Sequence, residues 1–264
     1  MINVRAALLK IHWILSTQFG IDPRRAPLFF RGLPRYLYDL FIFRANYHGR
    51  IELVPCLHDW HEEGGSTKSE YFWQDLFVAR MIFAANPVKH VDVGSRVDGF
   101  VAHVASFREI EVFDIRSITS AIPGVVFKQA DLMNPTADIA NYCDSLSCLH
   151  ALEHFGLGRY GDPIDPKGHE SGLRNMTNIL RAGGIFYLSV PVGVERVEFN
   201  ANRVFNPHTI VTIARSSGLT LRTFSLFTPD NGLVEVGTTH EALSAASNNR
   251  YGLGIFTFVK DGAR

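Results

Sequence analysis

The sequence has little cysteine, no excess of charge and no long apolar run. Its three cysteines, Cys56, Cys143 and Cys148, are odd in number and lack CxxC spacing, which argues against a disulfide framework and a structural zinc site. Free thiols favour a reducing compartment, so we predict a cytoplasmic protein. The 26 basic residues balance the 26 acidic ones. With no net field to attract polyanions, we expect no nucleic-acid partner.

Membrane-spanning helices need roughly 20 consecutive apolar residues, and no segment provides them. The apolar start of the chain is interrupted by Lys10 and His12 and lacks a signal-peptide cleavage pattern, which predicts a mildly amphipathic helix. The segment 28–60 that follows is rich in aromatics and arginine. It is interpreted as a helical lid that packs on the core, and peripheral contact with a membrane surface is the alternative.

Strands and helices alternate from Lys89 onward. Short apolar segments predict strands at 90–95, 108–116, 125–131, 143–150, 185–193, 219–228 and 251–260. Alternation of this kind predicts an α/β, Rossmann-like fold: a mostly parallel sheet with helices on both faces and an antiparallel edge strand. A mainly helical N-terminal extension or lid is expected over residues 1–88, packed on a Rossmann-like domain over residues 89–264.

The turn after the first predicted strand has features of a nucleotide site. Ligands of doubly wound sheets bind beyond the carboxyl ends of the strands. Here the first strand leads into Gly94 and Gly99, and glycine lets the backbone approach a ligand closely. Asp114 ends the second strand about 20 residues after Asp92, the interval at which an acid binds ribose hydroxyls. The combination predicts a nucleotide-containing cofactor.

These motifs resemble the ordered motifs of class I S-adenosylmethionine-dependent methyltransferases over roughly residues 89–218. The resemblance is carried by Asp92-x-Gly94, Asp114, Asp131 after the third strand, Asp144 at the fourth, LEHF at 152–155 and LRAGGIFYLSVP at 180–191. DVGSRVDGF, LHALEHFGLGRYGDP and VEFNANRVF are more narrowly similar to an uncharacterised bacterial family often encoded with cell-surface polysaccharide genes. The resemblance implies S-adenosylmethionine as cofactor and a sugar or glycan acceptor.

The resemblance also implies roles for particular residues. The turn would face the methionine part of the cofactor, Asp114 its ribose and Asp131 its adenine, with Leu132 packed on the ring. Arg96 and Asp98 replace the second and third glycines of the family pattern, and Arg96 either pairs with the cofactor carboxylate or points to solvent or braces the loop. The full set of expected cofactor residues is Asp92, Gly94, Ser95, Arg96, Gly99, Asp114, Asp131, Leu132 and His150.

Two other functions fit parts of this pattern. A nicotinamide-dependent nucleotide-sugar enzyme would also use an acid after the second strand, but the turn GSRVDG is not G-x-G-x-x-G, so the pyrophosphate would lack its close approach. A non-catalytic Rossmann-like module in glycan assembly would explain the irregular turn. The set of acids at the strand ends argues against that module.

The segment after the fourth strand holds the candidate catalytic residues His150, Glu153 and His154. At spacings of three and four they share one face of a helical turn. A histidine can take the proton of an attacking hydroxyl, and we assign that role to His154, held by an acid such as Glu153 or Asp162. Two imidazoles and a carboxylate also form half a divalent-metal site, so a metal at these three residues is an additional expectation.

The loop 156–169 is long and rich in glycine, which is typical of a substrate loop or of a structural Ω-loop. We expect Arg159 and Tyr160 to contact the acceptor, together with Asn200 and Arg203 after the fifth strand. The sequence therefore predicts a cytoplasmic O-methyltransferase that uses S-adenosylmethionine and acts on a small-molecule or glycan hydroxyl.

Overall fold

The computed structural model describes residues 4–62, 64–65, 67–134 and 139–262. Contacts divide the chain into two compact units, residues 1–66 and residues 67–264. The division falls before the helix Glu70–Ala85, whereas the sequence places it after residue 88. Val78 and Ile82 of this helix are fully buried in the second unit. An apolar helical pattern shows that a helix is buried but not which core buries it.

The first unit is mainly helical, as predicted. Its helices are α1, Val4–Gln18, and α2, Arg25–Asn46, followed by a short 3-10 turn at Asp59–His61. Leu57 is the buried apolar residue of this unit and contacts α2 at Gly32. Within the part of the chain that the structure describes, no helix combines the length and apolarity needed to cross a bilayer.

The second unit begins with α3, Glu70–Ala85, whose N-cap Ser69 accepts a hydrogen bond from the Tyr71 N–H. The other helices are α4, Ala102–Ala105, α5, Gly168–Ile179, α6, Pro207–Ser216, and α7, His240–Ser247. The strands are β1, His90–Val93, β2, Ile110–Asp114, β3, Val125–Gln129, β4, Cys143–Leu149, β5, Leu180–Val192, β6, Arg196–Glu198, β7, Asn202–Val204, β8, Leu219–Thr228, β9, Gly232–Glu235, and β10, Gly252–Lys260.

Among the described residues, eight of these strands form one sheet in the order β3-β2-β1-β4-β5-β10-β8-β9. β3, β2, β1, β4 and β5 pair in parallel, while β10 is antiparallel to both β5 and β8. The Rossmann-like, mostly parallel sheet is therefore confirmed. One edge of the sheet is formed by β9, which is antiparallel to β8, so an antiparallel edge strand is present as predicted. The last strand of the chain, β10, lies inside the sheet between β5 and β8.

Alternating side chains build one core on each face of this sheet. Along β10, Phe256 and Phe258 join a core that includes residues of α5, α6 and α7. Leu253 and Ile255 of the same strand join a second core with α3. A strand sends successive side chains to opposite faces, so the buried strands require helices on both faces. The predicted helices on both faces are present.

Candidate functional site

The carboxyl ends of β1, β2, β3 and β4 meet at one edge of the sheet, where they line a cavity of about 240 Å³. This is where ligands of doubly wound sheets bind. All residues that line it belong to the second unit. The predicted site residues that line it are Gly94, Arg96, Asp114, Asp131, Leu132, His150, Glu153, His154, Arg159 and Tyr160.

The turn after β1 requires its first glycine. Gly94 has φ of +70°, and a Cβ at this position would lie 2.9 Å from the Cβ of Ala151. Both the backbone conformation and the lack of space exclude other residues. Gly99 lies further from the cavity, and a Cβ there would meet the Asp75 carboxylate at 2.5 Å. Gly99 is thus required for helix packing, and the structure does not bring it to the cavity.

Asp92 and Ser95 brace this turn from below. The Asp92 carboxylate is fully buried and accepts hydrogen bonds from the backbone N–H of Ser95 and from the hydroxyls of Ser95 and Ser147. Burial raises the pKa of Asp92 to about 6. The Ser95 hydroxyl in turn accepts from the Leu149 N–H. Neither side chain lines the cavity. Asp92 and Ser95 therefore shape the turn after β1 but are not positioned for the predicted contact with a cofactor.

Asp114 lies at the cavity and is already engaged. Its carboxylate accepts hydrogen bonds from the Arg116 guanidinium at 3.0 and 2.7 Å and from the Arg116 backbone N–H at 2.8 Å. The hydrogen bond to Asp114 raises the pKa of Arg116. Each carboxylate oxygen has two acceptor positions, so one position remains open on Asp114 Oδ2, where a hydroxyl could donate.

Asp131 and Leu132 lie on the same side of the cavity, after β3. The Asp131 carboxylate accepts from the Met133 N–H at 2.9 Å and from the Asn134 amide at 3.0 Å, which fixes the turn. Leu132 is nearly fully buried. The cavity wall around these two residues is apolar and comprises Phe113, Ile115, Ala130, Met133 and Phe155. A flat apolar group such as an adenine fits between such walls.

Arg96 is paired within its own turn. Its guanidinium donates to the Asp98 carboxylate at 3.1 and 2.7 Å and lies 5.1 Å from the centre of the Tyr71 ring. Of the two interpretations of Arg96, this geometry favours the brace. Asp98 stands where the family pattern has a glycine, and the two departures from that pattern pair with each other.

His150 lies between two carboxylates. Its Nδ1 is 2.7 Å from Glu153 Oε1 and its Nε2 is 3.3 Å from Glu70 Oε1, while its ring centre lies 4.6 Å from that of Tyr71, with the rings tilted by 31°. Burial alone would lower the pKa of His150, but the two carboxylates outweigh it and raise the pKa to about 9. His150 is therefore an imidazolium at neutral pH. It cannot serve as a general base there.

The predicted metal site is not supported. Both nitrogens of an imidazolium carry protons, so His150 has no lone pair for a cation, and His154 uses Nδ1 on a backbone carbonyl. In the described ranges, no group of three or more histidine, cysteine, aspartate or glutamate side chains is arranged to hold a metal ion. Only Glu153 and His154 lie in the 3-10 turn Leu152–His154, and His150 precedes it with a positive φ.

His154 has the properties of a neutral base. It lies in the 3-10 turn Leu152–His154, and its Nδ1–H donates to the Ala201 carbonyl at 2.7 Å, which leaves Nε2 as the acceptor. Burial and the nearby Arg159 cation lower the pKa of His154, although Glu153 opposes them. The group that orients His154 is thus a backbone carbonyl. Asp162, one predicted partner, instead accepts from backbone N–H groups of residues 156, 158 and 160.

The loop after this turn places Arg159 and Tyr160 at the cavity. Arg159 Nη1 donates to the Ala201 carbonyl at 2.8 Å. The Tyr160 ring lies edge-on to His154, with ring centres 5.3 Å apart, and 4.4 Å from the Arg116 guanidinium carbon. These contacts join the loop both to the candidate base and to the end of β2.

Asn200 and Arg203 do not reach the cavity. Asn200 is exposed. Arg203 is buried, and its guanidinium donates to the backbone carbonyls of Glu153, Phe155 and Pro166. Arg203 consequently supports the loop that carries His154. Neither is positioned for the predicted acceptor contact.

Several lining residues escaped the sequence analysis, namely Glu70, Tyr71, Arg116 and Tyr251. Glu70 and Tyr71 begin α3. Tyr251 directly precedes β10, and its hydroxyl donates to the Glu70 carboxylate at a distance of 2.8 Å. They are far from the other site residues in sequence. Among these four residues, only Arg116 could have been identified from local sequence, because it lies two residues after Asp114.

Comparisons with known proteins identify the fold. A family model described as a Caenorhabditis protein of unknown function, DUF268, matches residues 103–228, slightly less than half of the chain. No curated protein sequence is significantly similar to the chain. Two similar solved structures are 10% and 12% identical to this chain, so they show the fold and not the activity.

These two structures illustrate the likeness. The YcgJ protein of Bacillus subtilis is 10% identical with a TM-score of 0.51, over 72% of this chain and 99% of that one. The 1,6-didemethyltoxoflavin-N1-methyltransferase of Burkholderia thailandensis, solved with its substrate and S-adenosylhomocysteine, is 12% identical with a TM-score of 0.50, over 72% and 80%. The chain has the Rossmann-like fold of S-adenosylmethionine-dependent methyltransferases.

Proposed function

We propose that this chain is an S-adenosylmethionine-dependent methyltransferase that methylates a hydroxyl oxygen of its acceptor. The observation that carries the proposal is a convergence in one cavity. The glycine turn after β1, Asp114 after β2, Asp131 after β3 and His154 after β4 all line it. Four elements separated in sequence thus supply a nucleoside pocket and a neutral imidazole side by side.

The lining fits the cofactor part by part. Asp114 offers an acceptor for a ribose hydroxyl, and the apolar wall around Leu132 offers a surface for adenine. Gly94 leaves the backbone open at the turn. The Burkholderia neighbour, which was solved with S-adenosylhomocysteine, has the same fold. When bound, S-adenosylmethionine would supply an electrophilic methyl group on a positively charged sulfur.

The electrostatics beside His154 also suit a cation. Glu70 and Glu153 together carry two negative charges, and the imidazolium of His150 between them neutralises one. A net negative charge remains in a largely buried environment, where charge interactions are stronger than in water. One oxygen of Glu153, Oε2, is buried without a hydrogen-bond partner in the described structure. This arrangement would stabilise a sulfonium.

His154 is the proposed general base. When the acceptor hydroxyl takes up the methyl group, His154 Nε2 would accept the proton that this hydroxyl loses. The Nδ1–H bond to Ala201 holds the imidazole in the required tautomer. Methyl transfer otherwise needs mainly alignment of acceptor and donor, which binding of both in this cavity would supply.

The acceptor is proposed to be a sugar or another small glycan hydroxyl, bound at the loop that carries Arg159 and Tyr160. An aromatic ring and a guanidinium beside the base suit a polyhydroxylated or anionic group. Cys56, Cys143 and Cys148 are all free thiols, which supports the proposed cytoplasmic location.

A thermal-shift comparison of S-adenosylhomocysteine with NAD tests the proposal. S-Adenosylhomocysteine at a hundredfold excess over its dissociation constant should stabilise the fold by about 2.7 kcal/mol, while NAD should not. Stabilisation by NAD alone would instead indicate a nicotinamide enzyme. If titration calorimetry detects no binding of S-adenosylhomocysteine, the methyltransferase proposal is wrong.

A further inference from the structure

Helix α2 has two faces in different environments. One face is half-buried and is formed by Gly32, Leu33, Tyr36 and Leu40, at helical spacing. Beside this face and toward solvent, Phe30, Leu37, Tyr38 and Phe41 also recur at helical spacing. These four side chains are 71%, 54%, 64% and 75% exposed, respectively. None of the 22 residues of α2 is fully buried.

This second face, called the aromatic face below, reverses the usual pattern. A surface helix of a globular protein turns its polar residues toward solvent. Here the residues toward solvent are aromatic or aliphatic, and they are contiguous along three turns. Trp13 of α1 is also about half exposed. Contiguous apolar surface of this kind marks an interaction site.

The charges of α1 and α2 indicate the partner. The two helices contain six basic residues, Arg5, Lys10, Arg25, Arg31, Arg35 and Arg44, and one acidic residue, Asp39. Because the whole chain has no net charge, this excess is local. Arg35 pairs with Asp39 at 3.3 Å. In the described part of the chain, Arg31 and Arg44 have no acidic partner within ion-pair distance.

We propose that the aromatic face of α2 docks on a membrane surface that contains anionic lipid. Helices that combine exposed aromatic residues with arginine lie in the interface plane, where the rings enter the headgroup region and the cations contact anionic lipid. The aromatic face supplies the apolar area, and Arg31 and Arg44 beside it supply the charge. The surface belongs to the first unit and does not depend on the methyl-transfer proposal.

The test is flotation of the full-length protein with vesicles. Vesicles of equal parts phosphatidylcholine and phosphatidylglycerol should bind it, and phosphatidylcholine alone should bind it much less. High salt should weaken binding. F30S/F41S should lower the partition coefficient at least about tenfold, since burying one such ring favours binding by about that factor or more. R31E/R44E should abolish the preference for anionic vesicles while keeping the apolar face.

The matched control is Phe83→Ser, which removes an exposed aromatic from a helix of the second unit and should leave binding unchanged. R31E/R44E serves as the decisive variant if F30S/F41S does not fold, as judged by circular dichroism. Equal binding to neutral and anionic vesicles, or none to either, overturns the proposal. So does a wild-type dimer in light scattering that F30S/F41S converts to a monomer, because a second copy would then cover the face.

Discussion

Asp114 and Arg116 form a bidentate pair at the end of β2, with oxygen–nitrogen distances of 3.0 and 2.7 Å, at the place where a cofactor ribose would bind. The pair holds the carboxylate in one orientation. It also connects the end of β2 to the loop after β4, because the Arg116 guanidinium packs on the Tyr160 ring of that loop. The proposed cofactor pocket and acceptor loop are therefore connected before any ligand binds.

The first prediction concerns this carboxylate. Asp114→Ala should remove the thermal shift caused by S-adenosylhomocysteine, because the ribose hydroxyls lose their acceptor. Arg116→Ala keeps the carboxylate and should retain most of the shift. Asp230→Ala is the matched control, since Asp230 is an exposed acid between β8 and β9, outside the cavity. Titration calorimetry on all three variants checks this, and unchanged affinity in Asp114→Ala would contradict the ribose assignment.

The second prediction concerns the base. His154→Gln keeps a polar side chain of similar length but cannot take a proton, so turnover should fall about 10²–10⁴-fold. Affinity for S-adenosylhomocysteine should be nearly unchanged. His208→Ala is a suitable control, because this histidine bonds to Ser244 outside the cavity. The readout is release of S-adenosylhomocysteine with an accepted sugar. Full turnover in His154→Gln would mean that alignment alone carries the reaction.

The third prediction is the pH dependence of that turnover. A general base must be neutral, so the rate should rise with pH and level off once His154 is deprotonated. Burial and Arg159 lower the pKa of His154, so the midpoint should lie below the ordinary histidine value of about 6.5. Arg159→Ala should move the midpoint upward.

A matched control for this profile is Arg174→Ala, which removes an exposed arginine of α5 and should leave the midpoint in place. The measurement is kcat against pH at saturating acceptor. A midpoint well above 6.5 in the wild type would instead assign the base to another group.

Much of the fold could be predicted from the sequence. Short apolar segments separated by helices define the parallel strands, and the acids at residues 114 and 131 mark strand ends that share an edge. The insertion of β10 between β5 and β8 could not be predicted, because strand order depends on tertiary pairing. β5 begins at Leu180, five residues before the predicted strand 185–193, because Leu180 pairs with Cys143.

The site was predicted less completely, for a physical reason. Local spacing in the sequence identifies His150, Glu153 and His154 as candidate residues, but it does not indicate their protonation states. The protonation state of His150 depends in part on Glu70, which lies eighty residues earlier in the chain. Glu70 belongs to a segment whose sequence predicts a helix but gives no indication of a functional role. His150 also has φ of +54°, so it precedes the turn rather than sharing a regular helix with His154. Its charge follows from Glu153, a neighbour in sequence, together with the tertiary contact to Glu70.

The last prediction concerns this charge and the stability of the fold. The pKa of His150 rises from an ordinary value of about 6.5 to about 9 in the folded protein. The folded state therefore holds a proton that the unfolded chain releases between these values. The resulting stabilisation, at most about 3 kcal/mol, is complete below pH about 6.5 and is lost as pH rises through about 9.

Thermal unfolding of the ligand-free protein at a series of pH values should accordingly show a melting temperature that falls across this interval. His150→Asn should be less stable at pH 6.5 and should lose most of this dependence, because asparagine tolerates the positive φ but does not titrate. His48→Asn, at an exposed histidine of the first unit, should follow the wild type. If His150→Asn and the wild type lose stability in parallel, His150 is neutral in the fold. It would then regain a place among the candidate bases, and the assignment to His154 would need the variant kinetics to decide it.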